Sequence, residues 1–500
     1  MAETHTSRSL REATNAGPHS LHWVLVAVAV LIGIRLVAAA LIDLGADESY
    51  YLLWSRYPTW SYYDHPPMVA WWIAGGTAIF GDQPFGIRVF FVLSAIPTTV
   101  AVYFAGRVLF DHATGTLAAL WINATLLVGV GGISATPDAP AVMFWALATC
   151  AFALVVTTRH GVWWLLVGAF AGLGVLSKLT DLFFGLGILL CLFVQADLRR
   201  WLINAWTWLG GALALLVVAP MLWWNADHDW VTFAKQFARL SPAAFNPMRF
   251  FELVGTQFAL LNPLIAIFVG LAIIMWVKRQ TVLPTRAIGV LIWTTIPLVA
   301  YMAFHSLHGQ VQAHWLAPIF PTLAVAAAAA AISAPSERWA GLRSLAFPVG
   351  VTISLIGFLL AANPGGRIPP AVDPGTMNHG WDGVATEANR LRAESGAGWI
   401  ALADYAAHAR VAYNLRDTAV PVIAIVERAR YAFAPSPEEK LLGQPALLVA
   451  TATKAARIAS CFAEMTPVGS IERKSGSSVI ETLNAFRAAG GSPALFAGGC

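Results

Sequence analysis

The chain has 500 residues, 58% of them hydrophobic and only 12% charged, with a formal net charge of +4. A soluble globular protein carries about 25% charged residues, so lipid is the main solvent here. The basic residues stand in short clusters between apolar runs, which reads as topology signalling and excludes a nucleic-acid-binding face.

Residues 1–20 are polar, with Arg8 and Arg11. The first membrane-length apolar run is 21–42; roughly 20 residues suffice to cross a bilayer. It is too long for a signal-peptide core and no small-residue cleavage site follows, so it reads as a retained helix. Further candidate spans are 84–108, 116–133, 139–156, 162–176, 182–194, 201–224, 253–277, 288–304, 315–332 and 345–362, about eleven in all. The pair flanking 177–181 is short for a span. Arg107, Arg159, Arg199 with Arg200, Lys278 with Arg279 and Arg286, and Arg338 with Arg343 join the N-terminal arginines on one face. The positive-inside rule makes that face cytoplasmic. The other face then receives 43–83, 134–138, 177–181, 225–252, 305–314 and everything after Asn363, so the unusual polar residues collect on the outer side.

The outer loop 43–83 opens with Asp47-Glu48-Ser49-Tyr50-Tyr51 and continues to Tyr63-Asp64-His65-Pro66-Pro67. Its many Trp and Tyr rings favour the headgroup level, so two short interfacial helices are expected near 48–55 and 67–80. The loop 225–252 mixes Trp230, Phe233, Phe237 and Phe250 with Lys235, Arg239 and Arg249. That mixture suits an anionic lipid headgroup, with a plain interfacial anchor as the alternative.

Pro364-Gly365-Gly366 marks a linker. Beyond it, short apolar segments at 399–402, 421–425 and 446–451 alternate with helical patterns. This predicts a small α/β domain outside the membrane. The Ala- and Gly-rich stretch 487–500 is expected to fray. Cys150 and Cys191 lie in apolar runs as small core residues; Cys461 and Cys500 can pair only if the C-terminal region is extracytoplasmic.

Carboxylates beside hydrocarbon are costly and usually face a cavity where they do chemistry. Asp47 and Glu48 fit a general base or a ligand for a cation, or else an acid at a helix N-terminus, and the two residues can divide these roles. Asp138, in Pro137-Asp138-Ala139-Pro140, starts a span on the same face, as an N-cap or as a second working acid. Lys178, in Ser177-Lys178-Leu179-Thr180-Asp181, either snorkels or meets a phosphate. His65 is a sugar or phosphate contact or a turn residue. The three histidines between 305 and 314 match no firm metal spacing.

Asp47-Glu48-x-Tyr50-Tyr51, then Tyr62-x-Asp64-His65-Pro66-Pro67-Met68, then Phe80-Gly81-Asp82 with Arg88, resembles the glycosyltransferase family 39 type of membrane protein. That group is related to the protein O-mannosyltransferases and the lipid A aminoarabinose transferases. Pro137-Asp138-Ala139-Pro140, Ser177-Lys178-Leu179-Thr180, Asn262-Pro263 and His314-Trp315-Leu316-Ala317-Pro318 match in order, across roughly 20–330, and 405–415 resembles the start of the outer domain. The chain departs from the pattern at Gln312, His314 and Leu316, where relatives often carry an acid and an asparagine before Trp-Pro-Ala-Pro.

The resemblance implies a mainly α, polytopic GT-C fold: a cytoplasmic tail 1–20, a transmembrane catalytic domain 21–362 with the interfacial loop 43–83, and a small extracytoplasmic α/β domain 363–500. It implies a plasma-membrane protein, in a bacterium the inner membrane, with its N-terminus cytoplasmic. The donor would be a sugar on a polyprenyl phosphate, the acceptor a lipid, glycan or protein, and the catalytic residues Asp47, Glu48 and Asp138. Tyr63, Asp64, His65, Arg88, Lys178, Arg239, Arg249 and His314 would bind substrate. No particular cofactor is implied; a divalent cation is a candidate, with the acids as its ligands. If the acceptor is itself a phosphate, no base is needed and Asp47 orients the donor or binds a cation. The competing expectations are a transporter or flippase of lipid-linked sugars and a non-enzymatic sensor of the same lipids.

Overall fold

The computed structural model describes residues 18–238, 245–278, 284–334, 337–363, 368–371, 373 and 375–497. Arg239, the linker 364–366 and Cys500 lie outside the described residues. The chain divides into two compact units. One comprises Met1–Ala39, His65–Val69 and Arg88–Leu355; the other comprises Ala40–Asp64, Ala70–Ile87 and Ile356–Cys500.

The first unit is helical. Among the described residues of the whole chain, seven helices are long and apolar enough to cross a membrane, or up to nine if two bent pairs count as one span each. The expected spans 116–133 and 253–277 are those bent pairs, turning by 58° and 112° respectively. The sharper bend falls at Asn262-Pro263. Proline opens the second helix, where its missing N–H costs nothing. Asn262, at φ 76°, caps that helix by accepting from the Leu264 amide at 3.1 Å. Its side-chain amide donates to Ala346 O at 2.7 Å, so the bend is bonded to another helix. The pair 162–176 and 182–194 appears as the shorter apolar helices Trp163–Ser177 and Leu179–Val194.

Helices here approach closely where side chains are absent. A Cβ placed on Gly168 would lie 1.9 Å from the Gly210 carbonyl oxygen, and one on Gly210 would lie 2.3 Å from Trp164 O. Small residues at such crossings replace the hydrophobic drive that lipid cannot supply. The core is built on Trp121, Trp145, Phe152, Phe184, Phe268 and Phe320, all essentially inaccessible. Arg35, inside the first span, is also buried; its two terminal nitrogens donate to Asn123 Oδ1 and Asn123 O, each at 2.9 Å. Asn123 passes the bonding on to Thr99 Oγ1 at 2.8 Å. In hydrocarbon such a cation persists only with its donors satisfied in this way.

The two short helices expected in the loop 43–83 are present as Ala46–Ser55, in the second unit, and Met68–Phe80, most of which belongs to the second unit. Trp54 and Tyr62 stack with ring centroids 4.3 Å apart. The second unit also holds a five-stranded sheet of order β2-β1-β3-β5-β4, with β1 Trp399–Leu402, β2 Val422–Ala424, β3 Ala446–Ala450, β4 Phe462–Ser475 and β5 Ser478–Gly491. Strand β1 is parallel to β2 and β3, whereas β5 is antiparallel to β3 and β4. Strands β1 and β3 are buried at every residue because both sheet faces are covered, so they read as continuous apolar runs. Helices Trp381–Glu394 and Tyr405–Asn414 cover one face, packing Val384, Leu391 and Val411 against Ile400, Leu402 and Leu447. The expected fraying of 487–500 is corrected in part: Arg487 to Gly491 pair in β5 and Ala494–Ala497 is helical. Cys461 is disulfide-bonded, whereas Cys150 and Cys191 are free.

Candidate functional site

The expected site residues gather in two groups, one in each unit. In the first unit, Asp138 is the opening residue of the helix Asp138–Thr158. Lys178 interrupts the apolar run that follows. At φ −155° and ψ 134° it is extended, ending Trp163–Ser177 and preceding the short turn Leu179–Asp181. This break turns the lysine out of the helical repeat, and Lys178 Nζ donates to Asp138 Oδ1 at 2.6 Å. The pair is largely shielded, with the lysine and aspartate side chains 7% and 16% exposed. His314 Nε2 lies 3.9 Å from Asp138 Oδ2 and the Thr136 hydroxyl 3.3 Å from the same oxygen. Asp138 is therefore a bonded anion in a cluster of donors, beyond what a helix cap requires.

Lys178 and His65 line a cavity of about 260 Å3 whose other walls include Phe183, Phe233, Tyr301 and Trp315. Tyr301 stacks on Phe183 at 5.0 Å between ring centroids. His305 sits between Tyr301 and Trp315, at 6.0 and 5.7 Å, so it belongs to an aromatic wall. The lining joins Lys178 and His65 to mostly apolar and aromatic residues, a combination that suits a phosphate joined to a hydrocarbon chain. Beside it, Asp181 is buried with neither carboxylate oxygen hydrogen-bonded among the described residues; a Cβ on Gly174 would come within 2.5 Å of its Oδ2. Arg88 is buried and donates to Ala39 O at 3.0 Å. Arg249 is half-buried in the helix Met248–Leu260.

In the second unit the two adjacent acids separate. Glu48 is buried and its Oε2 accepts from the Gly45 amide at 2.8 Å, half of a capping box whose other half is lost because residue 45 has no side chain. Asp47 is exposed, and Tyr405 Oη lies 3.4 Å from its Oδ1. Asp404 caps the helix Tyr405–Asn414, accepting from Ala407 N at 2.9 Å, and so sets Tyr405 on that helix's first turn. Burial and the neighbouring Asp47 push the Tyr405 hydroxyl up to about 12, which keeps it a proton donor.

Asp64 is buried and paired with Arg430 Nη1 at 2.5 Å. The Arg430 guanidinium lies over the Tyr405 ring at 4.3 Å and the Tyr63 ring at 5.7 Å. The Tyr50 hydroxyl is 3.2 Å from Asp64 Oδ2 and 3.0 Å from Arg430 O, so its single proton is shared between two acceptors. Tyr405 and Arg430 escaped sequence reasoning as individual site residues. They lie hundreds of positions from Asp47 and Asp64, and only the likeness of 405–415 to an outer domain hinted at them. Among the described residues no three His, Cys, Asp or Glu side chains form a group able to hold a metal.

Residues 64–224 match the family described as dolichyl-phosphate-mannose-protein mannosyltransferase. The chain is 24% identical over 400 residues to the lipid A galacturonosyltransferase RgtD of Rhizobium johnstonii, covering 76% of this chain and 80% of that protein. It is 31% identical over 175 residues to the undecaprenyl phosphate-alpha-4-amino-4-deoxy-L-arabinose arabinosyl transferase of Pseudomonas aeruginosa, covering 33% of this chain and 31% of that one. Among solved structures, ArnT from Cupriavidus metallidurans bound to undecaprenyl phosphate matches with a TM-score of 0.67 at 17% identity, covering 93% of this chain and 98% of that one. The resemblance to GT-C membrane glycosyltransferases read from the motifs is borne out.

Proposed function

Starting from a membrane protein with the GT-C glycosyltransferase fold, we propose that this chain moves a sugar from a polyprenyl-phosphate donor to an acceptor hydroxyl at the extracytoplasmic membrane surface. The observation that carries this reading is the shielded Lys178–Asp138 pair at a cavity with apolar and aromatic walls. The cavity suits the prenyl chain and Lys178 suits its phosphate. A lysine meeting the phosphate stabilises the charge that grows on it as the anomeric C–O bond breaks. Asp138 holds that lysine in place, and His65 and His314 add donors for the sugar or the phosphate.

Asp47 is the acid/base residue in this reading. It accepts the proton of the acceptor hydroxyl while the acceptor oxygen bonds to the anomeric carbon, and polyprenyl phosphate leaves as the anion. Its exposure supports the role, as does the absorption of Glu48 into the helix cap. The relative matched over most of the chain is named for lipid A, which makes a lipid acceptor the first to try. A disulfide at Cys461 suits an oxidising, extracytoplasmic setting for the C-terminal unit.

The test is transfer of radiolabelled sugar from a panel of hexosyl and pentosyl polyprenyl phosphates to a membrane extract, by wild type and by Asp47→Asn. Label incorporated by wild type alone supports the transferase and identifies the donor. Equal incorporation by both removes Asp47 from catalysis, and none from any donor returns the transporter or flippase reading.

A further inference from the structure

We propose that the second unit carries a separate binding site for a phosphorylated sugar, in the cavity edged by the helices Ala46–Ser55 and Tyr405–Asn414, strand β2 and residues 428–437. The cavity is about 300 Å3 and, among the described residues, its lining contains Arg56, Arg416 and Arg428 but no aspartate or glutamate. Three like charges around one space repel one another unless an anion joins them.

Their protein partners are weak. Arg428 donates to two carbonyls, Ala424 O at 3.1 Å and Phe496 O at 3.4 Å, and has no carboxylate partner among the described residues. Arg416 donates to Tyr413 O at 2.9 Å, lies over the Tyr413 ring at 4.3 Å and reaches Asp417 only at 3.9 Å, where that carboxylate is 86% exposed. Arg56 meets Asp82 at 3.3 Å in an exposed pair. Guanidinium groups with spare N–H donors are suited to the oxygens of a phosphate monoester.

His408 and Tyr431 also line the cavity. His408 is 6% exposed, and its Nε2 donates to Val422 O at 3.0 Å. That bond fixes the proton on Nε2 and leaves Nδ1 as an acceptor. Burial holds the imidazole at a pKa of about 4, so it is neutral. Nδ1 has no hydrogen-bond partner among the described residues, nor has the hydroxyl of Tyr431, which is also 6% exposed and packs edge-on to His408 at 4.9 Å. A ligand filling this space must bring an anion for the arginines. The rings of Tyr57 and Phe433, which also line it, offer faces for the C–H side of a pyranose. A phosphorylated sugar has both the anion and the C–H face. Free sugar phosphate and the headgroup of a phosphorylated glycolipid share them.

This site rests on its own observations, and binding is read without sugar transfer, so a failed transfer assay and a failed binding assay are separate results. The full chain is placed in phosphatidylcholine nanodiscs and titrated with glucose 1-phosphate, glucose and inorganic phosphate. A parallel set of nanodiscs carries a phosphorylated disaccharide lipid. The expected result is saturable binding of at least one phosphorylated sugar, tighter than glucose or phosphate alone. Loss of one charge-assisted contact in Arg416→Gln should weaken it about tenfold or more, with the unliganded melting temperature unchanged. Binding of the lipid-borne form alone names a lipid source, and equal binding of both forms names the free sugar phosphate as sufficient. Equal affinity for inorganic phosphate, undiminished affinity in Arg416→Gln, or no binding of either phosphorylated sugar overturns the proposal.

Discussion

Two adjacent acids, Asp47 and Glu48, divide the work that one stretch of sequence left open. Glu48 satisfies the Gly45 amide, whereas Asp47 stays exposed beside Tyr405. Asp47→Asn is therefore expected to lower the transfer rate about 10²–10⁴-fold, the usual contribution of a positioned base, with the melting temperature preserved. Glu48→Ala is expected to act on stability instead, costing about 1 kcal/mol or more through the lost cap, and to show as a lower melting temperature in detergent. If Glu48→Ala spares stability and abolishes transfer, the two roles are reversed. Lys178→Gln takes away the cation that faces the cavity and leaves Asp138 without its closest partner. Donor KM should rise about tenfold or more, by the loss of a charge-assisted bond, and KM measured at saturating acceptor checks it.

Helix interruptions do at the element scale what charges do at the residue scale. The break at Lys178 brings an ammonium to Asp138, and the bend at Asn262-Pro263 ties one helix to Ala346 O. Both appear in the sequence as polar residues within apolar runs, but their geometry does not. The close crossing at Gly168 and Gly210 is equally silent, since glycine adds nothing to a hydropathy pattern beyond a small residue. Gly168→Ala would force a Cβ onto a backbone oxygen that cannot step aside. It is expected to cost about 1–3 kcal/mol by overpacking, seen as a lower melting temperature. The sheet divides along similar lines. Strands β1 and β3 were legible because burial on both faces makes them continuously apolar. Strands β4 and β5 were not, because much of their length faces outward and carries polar residues.

At the scale of the molecule, pH acts on the second unit through His408. Its pKa is depressed from 6.5 to about 4 by burial, so the unfolded chain takes up the proton first as pH falls. The stability tied to the neutral ring is complete above pH 6.5, is lost as pH falls from there towards 4, and amounts to about 3 kcal/mol at most. Melting temperatures of wild type and His408→Asn, compared between pH 7 and 4.5, should converge at the acid end; a constant gap would rule this linkage out. Amino-acid sequence alone determined that lipid is the main solvent and that helices dominate. Those properties follow from the local density of apolar and basic residues along the chain. It also marked Asp47, Asp138 and Lys178 as residues out of keeping with their apolar surroundings. Only the tertiary structure decided their partners: Lys178 and His314 at Asp138, Tyr405 at Asp47, Arg430 at Asp64. Electrostatic and hydrogen-bonded pairing falls off within a few ångströms, and which side chains come that close depends on how distant segments pack, a relation that no single stretch of sequence contains.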